Sequence, residues 1–381
     1  MSVSGALDAI GENRLLAVWG AHLRRHPAQV NALHTADAEL VPLPGTDRLL
    51  AVTTDTVLEE IALGFYPDAE TIGWVAAAAS LSDLAAVGAE PIGIVSAVTL
   101  LRDAAPGFMV GLAAGLDAAA AAAGTFVLGG DTNFGATASI TVTALGSVPR
   151  DAALTRVGCR AGEIVYASGP LGAGALPVMR ALGLAAGTGP AGETCEAGPG
   201  SATAARVNGA GPDSAAAAFR PNPRLREARL LAGHATACMD TSDGLVATLD
   251  QPARLNGVGF DVSAPLAAVL VPAVRAACER AGLHPLLALA QPHGEFELVF
   301  TVPAERAERF EAAARRGGFE PLRLGVTTDC GLAPLAPALR FTGDGLRVLE
   351  GARIRNLLDE AGGDLRRVAA ALAELLQGDG A

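Results

Sequence analysis

The sequence contains no lysine: all 28 of its basic residues are arginine. That excludes a phosphate loop of the GxxxxGK[ST] type, a pyridoxal Schiff base and any lysine nucleophile. Acidic residues outnumber basic ones, 40 to 28, for a formal net charge of -12. This argues against a nucleic-acid binder, which carries a basic footprint. Cysteine is sparse: Cys159, Cys195, Cys238, Cys278 and Cys330 are odd in number, widely spaced and without a CxxC. Neither a zinc site nor a disulfide framework is expected, and reduced thiols in a cytoplasmic protein are. No basic-then-apolar leader is read at the N-terminus, and no uncharged apolar span of about 20 residues is available to cross a membrane. Aromatics make up only 4% of the chain, so the core must come from Ala, Leu and Val; hydrophobic residues, at 50%, supply enough of them.

A length of 381 residues suggests two domains at roughly 150 residues each. The hydrophobic pattern predicts helices over 15–33, 69–87 and 106–123. Strands are expected over 48–54, 92–100, 125–128 and 138–148. A boundary is expected near 150. Beyond it, strands are predicted over 163–168, 237–240, 297–302 and 321–326, with helices over 223–233, 245–256, 304–316 and 363–376. Residues 183–218 are rich in Gly, Ala, Ser and Pro, without periodicity, and read as a flexible insertion. The expected division is therefore 1–150, 151–345 with that insertion, and a helical extension over 346–381. Alternating helices and strands point to an α/β (α+β) fold with helices covering the sheets.

Acidic residues recur where predicted strands stop or helices start: Asp55 in TTDT, Asp83 in LSDLAAVGAEP, Asp131 in GGDT, and Asp240 with Asp243 in MDTSDGL. Each is flanked by Gly, Ser or Thr, which let backbone amides approach a polyanion. Taken singly, each Asp also reads as a helix cap or a turn former. Jointly they point to hard oxygen ligands for divalent cations that carry phosphates. The six histidines show no HExxH or other metal spacing, and His22 and His26 read as part of a solvated helix face. The GPLGAG stretch at 169–174 reads as a loop near a nucleotide or as a structural turn.

The ordered set TDT (54–56), LSDLAAVGAEP (81–91), GGDT (129–132), LTRVGCRAGEIVYASGPLGAG (154–174), RPNPRL (220–225), DTSDGL (240–245) and HGEFELVFTV (293–302) resembles the thiamine-monophosphate kinases. These belong to the aminoimidazole-ribotide-synthetase-related (PurM-like) superfamily of ATP-using enzymes. The resemblance runs from about residue 30 to about 330. It implies a two-domain PurM-like fold that dimerises through the N-terminal sheet, with Mg²⁺ and ATP as cofactors and a small phosphorylated or oxyanion acceptor. It also implies that Asp37, Thr53, Thr54, Asp55, Asp83, Asp131, Asp240 and Asp243 hold metal. Gly130, Asp131, Arg156 and Ser242 would touch the nucleotide, and Glu295 would lie near the acceptor. Asp131, Asp243 and Arg156 are the expected catalytic groups. A phosphate acceptor is already ionised near neutral pH, so positioning and charge neutralisation carry such a reaction, with the Arg156 fork on phosphate oxygens.

The chain departs from the family pattern at Ala36, where the first Asp of GDD is expected, and in ALGF (62–65), where a His is expected. It departs again at Ser80, in place of Asn, and at Phe296, in place of the second acid of GEDYEL. Two of these positions fall on the acceptor side. Beside thiamine-phosphate phosphorylation, two alternatives therefore stand: a related kinase or ligase-type enzyme acting on another metabolite, and a catalytically degenerate nucleotide-binding homologue.

Overall fold

The computed structural model describes residues 11–184, 219–330 and 339–377. Helix α1 (Gly11–His22) precedes strands β1 (Glu39–Pro42) and β2 (Arg48–Val57). Helices α2 (Glu59–Leu63) and α3 (Ala69–Ala86), strand β3 (Glu90–Leu101) and helix α4 (Pro106–Ala122) follow, then strands β4 (Val127–Gly135) and β5 (Ser139–Pro149). The five strands form one sheet in the order β1-β2-β5-β3-β4, antiparallel except for the β3–β4 pair.

A second, seven-stranded sheet is built from the following segment. It contains β6 (Ile164–Ala167), α5 (Ala175–Ala181), α6 (Leu225–Leu231), β7 (Ala237–Asp240), α7 (Gly244–Asn256), β8 (Val258–Val262), α8 (Leu266–Val269), α9 (Pro272–Ala281), α10 (Pro285–Leu289), β9 (Leu298–Val302), α11 (Ala307–Arg316), β10 (Leu322–Asp329), β11 (Leu339–Phe341) and β12 (Arg347–Leu349). The sheet order is β12-β11-β8-β10-β6-β9-β7. Helices α12 (Gly351–Glu360) and α13 (Leu365–Gln377) close the described chain. Among the described residues no helix is long and apolar enough to cross a membrane.

Helix α3 ties the two sheets together. Asp68 caps it by accepting from the Thr71 amide at 2.7 Å. Its Ala-rich sequence is buried on almost every side, because it packs on β2 and β5 on one flank and on α4, α6 and β7 on others. Contact with α4 is close enough that a Cβ on Gly115 would sit 1.9 Å from the Glu70 carbonyl. Strand β5 alternates strictly: Ile140, Val142, Ala144 and Val148 point into this core, while Thr141 and Thr143 point to the opposite, open face.

Two expected boundaries shift. The opening helix ends at His22 rather than near residue 33, since Pro27 cannot continue it. The strand expected over 125–128 runs instead from Val127 to Gly135, so GGDT lies inside β4 and not at its end. The ladder to β3 continues through the glycines, and a Cβ on Gly130 would meet the Ser96 carbonyl at 2.0 Å. Here glycine serves a close backbone approach, not a turn. Apart from Gly183 and Leu184, the 183–218 insertion lies outside the described residues, as does Cys195.

Candidate active site

Strand pleating sets the site. On β2, residues Leu49, Ala51, Thr53, Asp55 and Val57 share the face that meets α3, and the last three of these lie at the strand's C-terminal end. Helix α3 answers with Ser80 and Asp83, one turn apart on one face. Thr53 Oγ1 donates to Asp83 Oδ2 at 2.5 Å, and Ser80 Oγ donates to Asp55 Oδ2 at 2.9 Å. Ser80, where the family has Asn, thus still supplies a hydrogen bond to the acid. The C-terminal end of β7 adds Asp240, whose Oδ2 accepts from Ser82 Oγ at 2.6 Å. The loop before β1 adds Asp37, held by Arg156 through Nη2 at 2.8 Å and Nε at 3.2 Å.

One carboxylate oxygen from each of Asp37, Asp83 and Asp240 lies within 4.8 Å of the other two. Asp37 Oδ2 and Asp240 Oδ1 are buried with no hydrogen-bond partner among the described residues. Such orphaned acceptors are costly unless something neutralises them. Burial pushes the Asp83 carboxyl well above its usual range, and Asp55, Asp240 and Asp37 push it further. Burial, then Asp37, raise Asp240 to about 7. Burial, with Asp243 and Asp37 adding to it, raises Asp55. Arg156 provides one compensating charge: burial works against its protonation, but Asp37 more than offsets that. The donor set is all oxygen, anionic and under-compensated, which fits hard divalent cations such as Mg²⁺.

A cavity of about 310 Å³ opens on this cluster, lined by Asp55, Asp83, Arg156, Ser242 and Asp243 among others. Five of the expected acids, with Thr53, Arg156 and Ser242, therefore come together from the two ends of the chain. The cavity also has walls that carried no expected role, His34, Glu60, Tyr66 and Arg355, together with His293 and Phe296 from the HGEFELVFTV stretch. His34 and Phe296, at φ 66° and 61°, are the two non-glycine residues with positive φ among the described ones, and both line this cavity. Backbone strain of this kind costs on the order of 1 kcal/mol and concentrates at functional sites. His293 packs against Phe65, Tyr66 and Phe219, its Nε2 lies 3.3 Å from the Tyr66 hydroxyl, and burial lowers its pKa to about 4. No local spacing marked His34, Glu60, Tyr66 or Arg355, whereas His293 and Phe296 lie within the HGEFEL stretch.

Four expected site residues stand apart from the cluster within one chain. Thr54 points to the open face of the first sheet, its hydroxyl on Thr143 Oγ1 at 3.0 Å and the Val142 carbonyl at 3.2 Å. Asp131 pairs in register with Ala97, Ala97 with Thr141, and Thr141 with Thr56. Paired residues share a face, so Asp131 also lies on the open side, three strands and about 14 Å across from β2. Gly130 and Asp131 border a different hollow, of about 370 Å³, between β3, β4 and α4. Glu295 is buried, its oxygens taken by the Gly172 amide at 2.7 Å and the Thr241 hydroxyl at 3.0 Å. Burial and then Glu297 raise its pKa to about 8, and its bonds brace the loops behind the cavity.

The chain is similar to known proteins in sequence and in fold. The family described as AIR synthase related protein, N-terminal domain, matches residues 35–148. The thiamine-monophosphate kinase of Halobacterium salinarum is 32% identical over 250 residues, covering 64% of this chain and 73% of that protein. Its counterpart from Synechococcus elongatus is 32% identical over 270 residues, covering 68% and 74%. A solved structure from Thermus thermophilus, 28% identical, superposes with a TM-score of 0.67 and covers 88% of this chain and 98% of that one. With acids, fold and extended sequence similarity in agreement, the chain belongs to the thiamine-monophosphate kinase family.

Proposed function

We propose that this protein is an ATP-dependent kinase that converts ATP and thiamine monophosphate to ADP and thiamine diphosphate. An oxygen of the acceptor phosphate attacks the γ-phosphorus of ATP, the new P–O bond forms, and the bond to the β-phosphate oxygen breaks to release ADP. The observation that carries this reading is the convergence of Asp37, Asp83 and Asp240 within 4.8 Å, beside a cavity that Asp83 lines together with Asp55 and Asp243. These acids would hold Mg²⁺, which when bound supplies charge neutralisation for the phosphate oxygens. Thr53, Ser80 and Ser82 orient the acids by donating to Asp83, Asp55 and Asp240. Arg156 anchors Asp37 and presents its remaining edge to phosphate. Ser242, beside Asp243, is the proposed hydroxyl contact to the nucleotide.

Asp131, Gly130 and Thr54 enter this reading through a second copy of the chain. They lie on or beside the open sheet face with Thr56, Thr141 and Thr143, with exposed Phe126 and Leu128 at the N-terminal end of β4. A homodimer formed through this face would bury that surface and carry Asp131 toward the partner's acids. The extents of the two sheets, 39–149 and 164–349, support a two-domain division near residue 150; the helical extension expected from 346 begins instead at Gly351, because Arg347–Leu349 is a strand of the second sheet. The buried, unpaired thiols of Cys159, Cys238 and Cys278 support a reducing, cytoplasmic setting. The acids that remain, Asp37, Asp55, Asp83, Asp240 and Asp243, weigh against the degenerate homologue. The test is ADP release against a panel of phosphorylated acceptors. Turnover with thiamine monophosphate and thiamine diphosphate as product support the reading; turnover with another acceptor alone, or with none, overturns it.

A further inference from the structure

In a chain without lysine, the positive charge that meets a phosphate must come from arginine, a protonated histidine or a metal. Among the described residues lining the acidic cavity the cations are Arg156 and Arg355. Arg156 is committed to Asp37 through two nitrogens. Arg355 is not committed in this way. It projects from α12, outside every motif of the family resemblance, and its side chain is only 8% exposed. Its Nη1 donates to the neutral Gln251 amide oxygen, and this is the guanidinium's one hydrogen bond among the described residues. The nearest carboxylate, Asp250, stands 3.8 Å away and already accepts from Arg254 Nε at 2.8 Å. Two nearly buried guanidinium groups thus share one carboxylate, and the second is short of an anion. An under-compensated buried charge of this kind is expensive unless a ligand completes it.

Arg355 also stands at a junction. A second cavity of about 360 Å³ adjoins the first, and the two share Glu60, Asp243, Pro292 and Arg355 as lining. The second cavity carries the acids Glu59, Glu60 and Asp359 on walls of Ala247, Pro292 and Leu358. That chemistry suits a small, flat, positively charged organic group. On the kinase reading, the first cavity takes the nucleotide's phosphates, and the acceptor must reach them through this junction.

We infer that Arg355 binds the acceptor's phosphate at the junction of the two cavities, with the acceptor's cationic organic part in the cavity walled by Glu59, Glu60 and Asp359. This rests on the kinase reading for the direction of transfer. Arg355 is then the residue that separates a phosphorylated acceptor from its free alcohol, and its planar fork matches two phosphate oxygens as no ammonium does.

The test uses the full chain and the variants Arg355→Gln and Arg355→Lys. ADP release is measured against thiamine monophosphate and against ATP separately, and calorimetry compares binding of thiamine monophosphate with binding of thiamine. For Arg355→Gln, the acceptor KM should rise about ten- to hundredfold while the ATP KM stays within about twofold, as loss of charge-assisted hydrogen bonds to one substrate requires. Arg355→Lys should fall between, and it stands in if the Gln variant does not fold. The wild type should bind the phosphate ester more tightly than the alcohol, and the variants should lose that preference. An unchanged acceptor KM, or an ATP KM that rises equally, overturns the assignment, as does a wild type that does not distinguish ester from alcohol. Failure of the kinase reading shows differently: the wild type then binds the ester over the alcohol in an Arg355-dependent way yet forms no ADP.

Discussion

Replacing Asp240 with Asn removes one negative charge from the acidic cluster without changing its volume, and the effect on stability should reverse sign with metal. The carboxyl of Asp240 is raised from 3.8 to about 7 by burial and by Asp37, with Asp55 adding repulsion. A folded-state pKa above the unfolded one means that the fold binds the proton more tightly. The metal-free fold therefore loses stability as pH rises from about 4 to about 7, and the loss is complete above that window. A shift of about three units corresponds to roughly 4 kcal/mol. That net shift already contains the opposing attraction of Arg156 and the Ser82 hydrogen bond, so metal-free Asp240→Asn should gain up to roughly 4 kcal/mol at pH 8. That amounts to roughly 4–6 °C in the unfolding midpoint. At pH 5 the gain should be less than half as large, and below about pH 4, where the unfolded chain is protonated as well, it should vanish. With Mg²⁺ and an ATP analogue the order should invert, because the wild type gains binding energy that the variant has largely lost. The assay is thermal unfolding in chelator and in Mg²⁺ at pH 8 and at pH 5. A metal-free Asp240→Asn that is less stable than wild type at pH 8, or a variant stabilised by Mg²⁺ as fully as wild type, would refute the reasoning.

Other outcomes follow from the same geometry. Asp131→Asn should lower turnover by orders of magnitude without changing the unfolding midpoint, since the residue is exposed on β4. Mixing Asp131→Asn with Asp240→Asn subunits should restore part of the activity, because a composite site built across a dimer leaves one intact copy in a mixed pair; no recovery would place Asp131 outside the partner's site. Gly115→Val places a Cβ where it would lie 1.9 Å from the Glu70 carbonyl. It should force α3 and α4 apart and cost about 3 kcal/mol or more, read by denaturant unfolding. Ser80→Ala removes the donor to Asp55 and should weaken Mg²⁺-dependent turnover about tenfold while the protein stays folded.

Much of this architecture was legible before any coordinates. Helix α3 announced itself through an Ala-rich run behind Asp68, and β5 through strict alternation from Ile140 to Val148. The acids Asp55, Asp83, Asp240 and Asp243 were legible because strand ends and flanking small residues mark such positions; Asp37 entered only through the family resemblance. What escaped has physical reasons. Glycine codes both for turns and for close backbone approach, so Gly129 and Gly130 suggested the end of a strand that continues through them. Glu295 carries a motif acid, but burial behind Gly172 and Thr241 gives it a bracing role that spacing alone does not reveal. His34 and Arg355 join the site only through tertiary packing of segments more than 300 residues apart, and no local period records that. Asp131 calls for a surface beyond the single chain.

The central claim is that scattered aspartates grip divalent cations at one point, and the most direct measurement is anomalous diffraction from crystals grown with Mn²⁺ and a non-hydrolysable ATP analogue. The account predicts a Mn²⁺ peak about 2–2.5 Å from carboxylate oxygens of Asp37, Asp83 and Asp240, with the analogue's phosphates on the same ion. Mn²⁺ and phosphates bound elsewhere, with these three carboxylates left uncoordinated, would contradict it.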